Sequence, residues 1–324
     1  MISVVIPSHE SVDEIFQQTL SSLVDQDYPE DKHEVIVVQN PPSVSVKDYI
    51  DNECPKNFTT IESKLGSNNA RNAGIKEAKF PILALTDDDT LLYPHWLSTI
   101  SKIFEEDRDD QISCVGGPLD LLFVQEQPEW LVGELLSSLS YVNHEARGDS
   151  PRDLNFSLGE WLVTANLAFP KTVWEKVGGF NGDIGLHGLQ KDTSNDELLF
   201  LKECTSHGRV LYAPNMTMLH QIPSNRATFK YLEEREYGQG RADAETYFTE
   251  HPQSSVEDAY HDVAQGIFNM AYPYEPTFKV REALSDEEAT RKYIRALLRA
   301  RLAKMVGLVN KIEGREVWKQ NKDA

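Results

Sequence analysis

The stretch Ile2–Val38, ISVVIPSHESVDEIFQQTLSSLVDQDYPEDKHEVIVV, decides the fold class. Ile2–Pro7 is a short β-branched apolar run closed by a turn, as expected of a strand buried on both faces. Ile15, Phe16, Thr19, Leu20, Leu23 and Val24 then recur at helical spacing, and Tyr28-Pro29 ends that pattern. Glu34–Val38 (EVIVV) is a second buried run. Strand, helix and strand in this order form a βαβ unit, which dictates a parallel sheet with right-handed crossovers.

The alternation continues past this unit. Phe58–Glu62 reads as a strand, Asn68–Ala78 as a helix, and Ile82–Thr86 (ILALT) as a buried strand running into Asp87-Asp88-Asp89. Pro94 opens a helix with Trp96, Leu97, Ile100, Ile103 and Phe104 on one face, and Ile112–Val115 is a further strand. An open, mostly parallel α/β sheet flanked by helices follows, with its ligand crevice at the carboxyl ends of the strands. The second half is less regular. A helix is expected near Trp130–Leu139, a strand over Leu162–Phe169, helices over Thr172–Val177 and Asp196–Ser206, and a strand over Val210–Pro214. Beyond about Asn225 the pattern is helical.

Composition limits the function classes. The chain has 324 residues, and its 52 Asp+Glu against 32 Lys+Arg give a formal charge of −20. With a pI near 4.8, such a surface cannot neutralise a nucleic acid backbone, so nucleic acid polymers are excluded as main partners. The acidity also fits either a well-solvated surface or a protein of a high-salt cytoplasm, although 18 of the 32 cations are still lysine. Cys54, Cys114 and Cys204 are scattered and odd in number, which disfavours a disulfide framework or a structural zinc site. No apolar run reaches the roughly 20 residues of a membrane span, and the N-terminus lacks the basic region of a signal peptide. The expected location is cytoplasmic.

Four constellations carry chemistry. On an extended segment Asp87 and Asp89 share a face while Asp88 points away, so the pair suits Mg²⁺ or Mn²⁺ holding substrate phosphates; the alternative is a solvated acidic turn. Lys64–Ile75 (KLGSNNARNAGI) leads into a helix bearing Arg71, a phosphate-binding geometry or an ordinary capped helix. Asn195-Asp196-Glu197 opens an apolar helix, where an acid can act as cap, as general base, or as both. His220 is either structural or a further metal ligand.

The order and spacing of these pieces over about residues 1–240 resemble the family 2 glycosyltransferases of the GT-A fold. The matching stretches are VVIPSHES, SLVDQDYP, EVIVV, GSNNARNAGI, ILALTDDD, LVTANLAFPK, GGFN and NDELLFLKECTSHGRVLYAP, followed by His220. The resemblance implies a Rossmann-like nucleotide-sugar-binding half over residues 1–118, an acceptor-binding and catalytic half over 119–240, and a helical extension over 241–324. It assigns Pro7, Ser8 and His9 to the nucleoside, with the His9 ring against the base, and Arg71 to the nucleotide. The aspartate triplet matches the DxD motif, Asp87 and Asp88 on the nucleotide side and Asp89 on a divalent cation, with Asp87 and His220 alongside. Asp196 matches the catalytic base. The sequence departs from the family twice. Gln39-Asn40 stand where an aspartate usually contacts the base, so Gln39 is the expected contact, and Asn195 replaces a glutamate, which makes Glu197 the alternative base.

The implied activity is inverting transfer of a sugar from a nucleotide-sugar, a UDP-sugar by expectation, to a hydroxyl of a glycan or lipid-phosphate-linked acceptor. A non-catalytic sugar-nucleotide-binding module is the alternative. A nucleotidyltransferase is a third reading, disfavoured because SHESVDE is acidic where a triphosphate would sit. Residues 291–315 hold eight cations and one carboxylate. With Ile294, Leu297, Leu298, Leu302, Met305, Val309 and Ile312 at three-to-four spacing, they form a basic amphipathic helix. That helix can lie on an anionic membrane at the inner face of the cell membrane, or pack on the acidic body.

Overall fold

The computed structural model describes all residues except 9–11, 110, 145–147, 182–195, 252, 256–286 and 313–324, and leaves the side chains of Asp196, Glu245, Thr249 and Glu250 undescribed. Two compact units are present: Met1–Leu122 with Ser140–Gly188 and Asp196–Gln221, and Phe123–Leu139 with Leu189–Asn195 and Ile222–Ala324.

The first unit is the expected α/β sheet. Strands β1 (Ile2–Ser8), β2 (His33–Gln39), β3 (Phe58–Glu62) and β4 (Ile82–Leu85) alternate with helices α1 (Glu14–Val24), α2 (Val44–Glu53) and α3 (Ser67–Glu77). Next come β5 (Thr90–Leu92), α4 (Trp96–Glu106), β6 (Ile112–Gly116), β7 (Leu119–Phe123), β8 (Arg152–Asp153) and β9 (Leu167–Pro170). Helices α5 (Lys171–Val177) and α6 (Asp196–Cys204) and strands β10 (Arg209–Tyr212) and β11 (Met218–Ile222) complete it. The main sheet has the order β3-β2-β1-β4-β9-β6-β10-β8, and β5-β11-β7 form a small second sheet. Neighbours from β3 to β4 are parallel, as are β6 and β10, while β9 runs antiparallel between β4 and β6.

Strand residues alternate between two cores. Val4 and Ile6 pack with Phe16, Leu20 and Trp96 on one face, and Val5 and Val38 with Ala70 and Ile75 on the other. Asp13 caps α1 by accepting the Phe16 N–H at 2.9 Å. Helix α3 lies hard on the sheet: a Cβ on Gly74 would stand 2.4 Å from Val5 Cγ1 and 2.9 Å from Val38 Cγ2. Only glycine allows that approach.

Two expectations need correction here. Leu162–Phe169 is not one strand; Thr164–Asn166 form a 3₁₀ turn before β9. The turn is locked because Asn166 Nδ2 donates to the carbonyls of Pro118 (2.9 Å) and Met216 (2.7 Å), and Oδ1 accepts from the Trp96 indole at 3.0 Å. The helix near Trp130–Leu139 is a 3₁₀ segment over Gly133–Leu139. The pairing of β5 with β11 and helix α2 were not foreseen. The three thiols are free, with Cys114 and Cys204 buried.

Glu34 on β2 is a buried carboxylate. Burial alone would raise its pKa, but hydrogen bonds from the Lys79 N–H (2.7 Å) and the Ser3 hydroxyl (2.8 Å), with the Lys79 ammonium at 3.0 Å, hold it below the usual carboxylate range. Because the folded-state pKa is depressed, its stabilisation is full above the unfolded-state value and is lost as pH falls through the folded one. Chemical denaturation of Glu34→Gln is therefore expected to show a smaller loss of stability between neutral and acidic pH than the parent.

In the second unit, α7 (Phe229–Glu250) and α8 (Glu287–Ile312) cross at facing glycines. A Cβ on Gly240 would lie 1.8 Å from the Lys304 carbonyl oxygen, and one on Gly307 2.0 Å from that of Tyr237. Arg299 pairs with Glu233, Lys304 with Asp243 (2.9 Å) and Arg301 with Glu134 (2.7 Å). Burial alone would lower the Lys304 pKa; Asp243 and Glu236 outweigh it and raise it. The body-packing alternative for the basic helix is thus realised on one of its faces. Helix α7 also runs through the boundary expected at residue 240. Among the described residues no helix is long and apolar enough to cross a membrane.

Candidate active site

The site assembles in the first unit at the carboxyl ends of β1, β2 and β4. Register places Ser8 beside Gln39 and Val5 beside Leu85, and antiparallel β9 brings Leu167, with Asn166 just before it, to the end of β4. Four chain segments therefore meet at one edge of the sheet.

The aspartate triplet does not continue β4 as an extended segment; Asp88 and Asp89 lie in a turn. The expected face-sharing by strand alternation is corrected accordingly. The turn forms because each backbone carbonyl of the triplet has a donor: Thr90 Oγ1 to Asp87 (2.9 Å), Thr19 Oγ1 to Asp88 (3.1 Å) and the Gln221 N–H to Asp89 (2.8 Å). With the carbonyls fixed, the carboxylates are aimed by their side-chain partners. Asp87 Oδ1 accepts from Arg71 Nη2 at 2.8 Å, and Asp89 Oδ2 lies 3.2 Å from His220 Nε2 on β11.

Arg71 is 9% exposed in its side chain against 33% for Asp87. Asn68 Oδ1 accepts from its Nη1 at 3.3 Å, and its buried Nε has no partner. A buried donor of this kind carries a desolvation cost unless a ligand atom meets it. Arg71 is held here because Asn40 clamps the loop before α3: its Nδ2 donates to the carbonyls of Lys64 (2.9 Å) and Gly66 (2.7 Å), and its Oδ1 accepts the Gly66 N–H at 3.2 Å. Gly66 sits at φ +119°, a conformation open to glycine.

The other predicted residues divide. Pro7 and Ser8 end β1 at this edge. Gln39 is buried, and its side-chain carbonyl accepts the Ser43 N–H at 2.6 Å, so that oxygen is committed to the start of α2. Glu197 Oε2 accepts from Thr164 Oγ1 at 3.5 Å, which ties the start of α6 to the turn preceding β9. His9 lies outside the described residues, as does the Asp196 side chain, though the Asp196 backbone opens α6. Thr19, Thr90, Thr164 and Gln221 were missed. Thr164 lies in the LVTANLAFPK stretch but is not singled out there, Thr19 enters the sequence reading only as a helix-spacing residue, and Thr90 and Gln221 stand in no motif.

The donor set fits a hard divalent cation. Among the described residues no group of three His, Cys, Asp or Glu side chains is placed to hold a metal ion together. One or two carboxylates with substrate phosphates and water are the usual Mg²⁺ arrangement, and an imidazole is compatible with Mn²⁺. Asp89 and His220, 3.2 Å apart, are the pair that could contribute two of its ligands.

The site is thus the carboxyl edge of a mostly parallel α/β sheet, where a buried arginine meets an aspartate turn. Residues 3–118 match the model for glycosyl transferase family 2. A glucosyl-dolichyl phosphate glucuronosyltransferase of Haloferax volcanii is 24% identical over 183 residues, 54% of either chain. The glycosyltransferase AglE of the same organism is 34% identical over 113 residues, 31% of this chain and 35% of AglE. The alignments thus span about half or less of the curated relatives. Among solved structures, the mannosyltransferase PcManGT of Pyrobaculum calidifontis, in complex with GDP-Man and Mn²⁺, matches 97% of this chain and 88% of its own. Its TM-score is 0.56 at 16% identity, which establishes the shared GT-A fold. GalNAc-T7 with UDP, GalNAc and Mn²⁺ matches 75% of this chain and 50% of its own, with a TM-score of 0.51 and 13% identity.

Replacing Arg71 by methionine keeps the stem and removes the charged donors. Charge-assisted hydrogen bonds contribute enough that donor affinity is expected to fall about 10- to 100-fold, read by calorimetric titration with nucleoside diphosphate.

Proposed function

We propose that this chain transfers a sugar from a nucleotide-sugar to a hydroxyl of a lipid-phosphate-linked or other glycan acceptor, with inversion at the anomeric carbon. The observation that carries the reading is the pairing of Asp87 with Arg71 and of Asp89 with His220 around one turn. Pro7, Ser8 and Arg71 bind the nucleotide, with Asp87 and Asp88 on its ribose and phosphate side. Asp89, with His220 and Asp87, would hold Mn²⁺ or Mg²⁺. A bound divalent cation supplies Lewis-acid neutralisation of the departing diphosphate.

The proton chemistry belongs to the start of α6. Asp196 accepts the proton of the acceptor hydroxyl, that oxygen bonds to the anomeric carbon, and the bond from this carbon to the diphosphate oxygen breaks. One displacement from the opposite face inverts configuration. Glu197, held beside Thr164, is the alternative base. The lipid-linked acceptor draws support from the glucosyl-dolichyl phosphate named for one relative. Support for the cation comes from the Mn²⁺ bound in the structural neighbours.

The test is a nucleotide-sugar turnover screen with Mn²⁺ that includes UDP- and GDP-sugars, because the carbonyl of Gln39, the expected base contact, already accepts from Ser43 and leaves its amide N–H groups to read the base. Release of nucleoside diphosphate from one donor, abolished by chelation, is expected. A binding module would hold the nucleotide without releasing it.

A further inference from the structure

Helix α8 has a second face that the α7 contact does not use. Tyr293, Ala296, Leu297 and Ala300 are buried on one side. On the other, Ile294, Leu298, Leu302 and Val306 stand four residues apart in line and are 44%, 62%, 59% and 43% exposed. Single exposed apolar residues are ordinary on any protein, whereas a stripe along successive turns of one helix marks a contact surface. The helix cannot rotate to bury it, because the Gly240–Gly307 crossing leaves no room for a side chain and the Arg299 and Lys304 pairs fix the azimuth.

The charge around the stripe selects its partner. Helix α8 carries seven cations and two carboxylates in a chain of net charge −20. Arg291 and Arg295 are exposed, and Arg299 keeps 40% side-chain exposure beside Glu233. These three arginines also stand four residues apart, in a row beside the stripe. A second copy laid on this face would oppose arginine to arginine. A lipid bilayer with anionic headgroups meets both features at once, apolar groups entering the acyl boundary and guanidiniums facing phosphates. The acidic remainder of the chain is repelled by the same surface, which restricts docking to this helix.

We propose that the Ile294–Leu298–Leu302–Val306 face of α8 is a docking surface for an anionic membrane. It deepens the lipid-linked-acceptor reading above and rests on it for biological purpose, though not for the binding itself. Sedimentation of the full chain with vesicles tests it, using phosphatidylcholine alone or with about one-third phosphatidylglycerol. The parent is expected to pellet with the anionic vesicles and about tenfold less with the neutral ones. The double variant Leu298→Gln/Leu302→Gln is expected to lose binding by at least about tenfold while its Mn²⁺-dependent donor turnover in vesicle-free solution stays at the parent level. The proposal is overturned if the parent remains in the supernatant or the double variant pellets equally. It is also overturned if analytical ultracentrifugation shows a dimer that the double variant dissolves. Vesicle binding without any donor turnover would uphold this surface and remove the catalytic reading instead.

Discussion

Asp89→Ala is expected to abolish sugar transfer, by roughly a thousandfold or more, while the chain stays folded. The carboxylate is the proposed cation ligand, set 3.2 Å from His220, and without it the charge developing on the leaving diphosphate has no neutralising partner. The turn should survive because its anchor at this position is the backbone carbonyl that accepts from Gln221, which alanine retains. A circular dichroism melt unchanged from the parent, with loss of Mn²⁺-dependent nucleotide binding in calorimetry, is the full expected pattern. Normal transfer by the purified variant would remove Asp89 from the mechanism.

Asp196→Asn is the second large effect, and it separates binding from chemistry. The amide preserves size, but it cannot accept the acceptor proton. A general base contributes about 10² to 10⁴ in rate, so kcat should fall by that order while donor affinity is unchanged. Such a kcat-only loss identifies an interaction made in the transition state. Glu197→Gln run in parallel assigns the role: if it alone is inactive, the base is Glu197 and its contact with Thr164 orients it.

Strands β1, β2 and β4 were legible because parallel strands buried on both faces are written as continuous apolar runs, ISVVIP and EVIVV among them. Helix α2 was not, since only Val46 and Ile50 are buried in it and two apolar positions make no periodic signal. Strands β5 and β11 escaped for a different reason. Thr90–Leu92 is three residues long, and it is stabilised by pairing with Met218–His220 far along the chain.

The site was legible by residue type and poorly legible by geometry. Arg71, Asp87, Asp89 and His220 were all singled out from the sequence, and the fold brings them into two contacts. Spacing could not pair Asp89 with His220, because 131 residues separate them. Nor could it show that Thr19 and Thr90 hydroxyls would bend the triplet into a turn. For the basic C-terminal helix, the sequence posed membrane and body packing as alternatives. The glycine crossing accounts for one face of the helix and leaves the apolar stripe exposed on another.

The central claim is that the aspartate turn and Arg71 form a cation-dependent nucleotide-sugar site. The most direct measurement is nucleoside diphosphate release by the full chain across a panel of nucleotide-sugars, with Mn²⁺ and with chelator. The account predicts turnover of one donor that stops on chelation and is absent in Asp89→Ala. Failure to bind or turn over any nucleotide-sugar with Mn²⁺ present, or turnover indifferent to both chelation and Asp89→Ala, would contradict it.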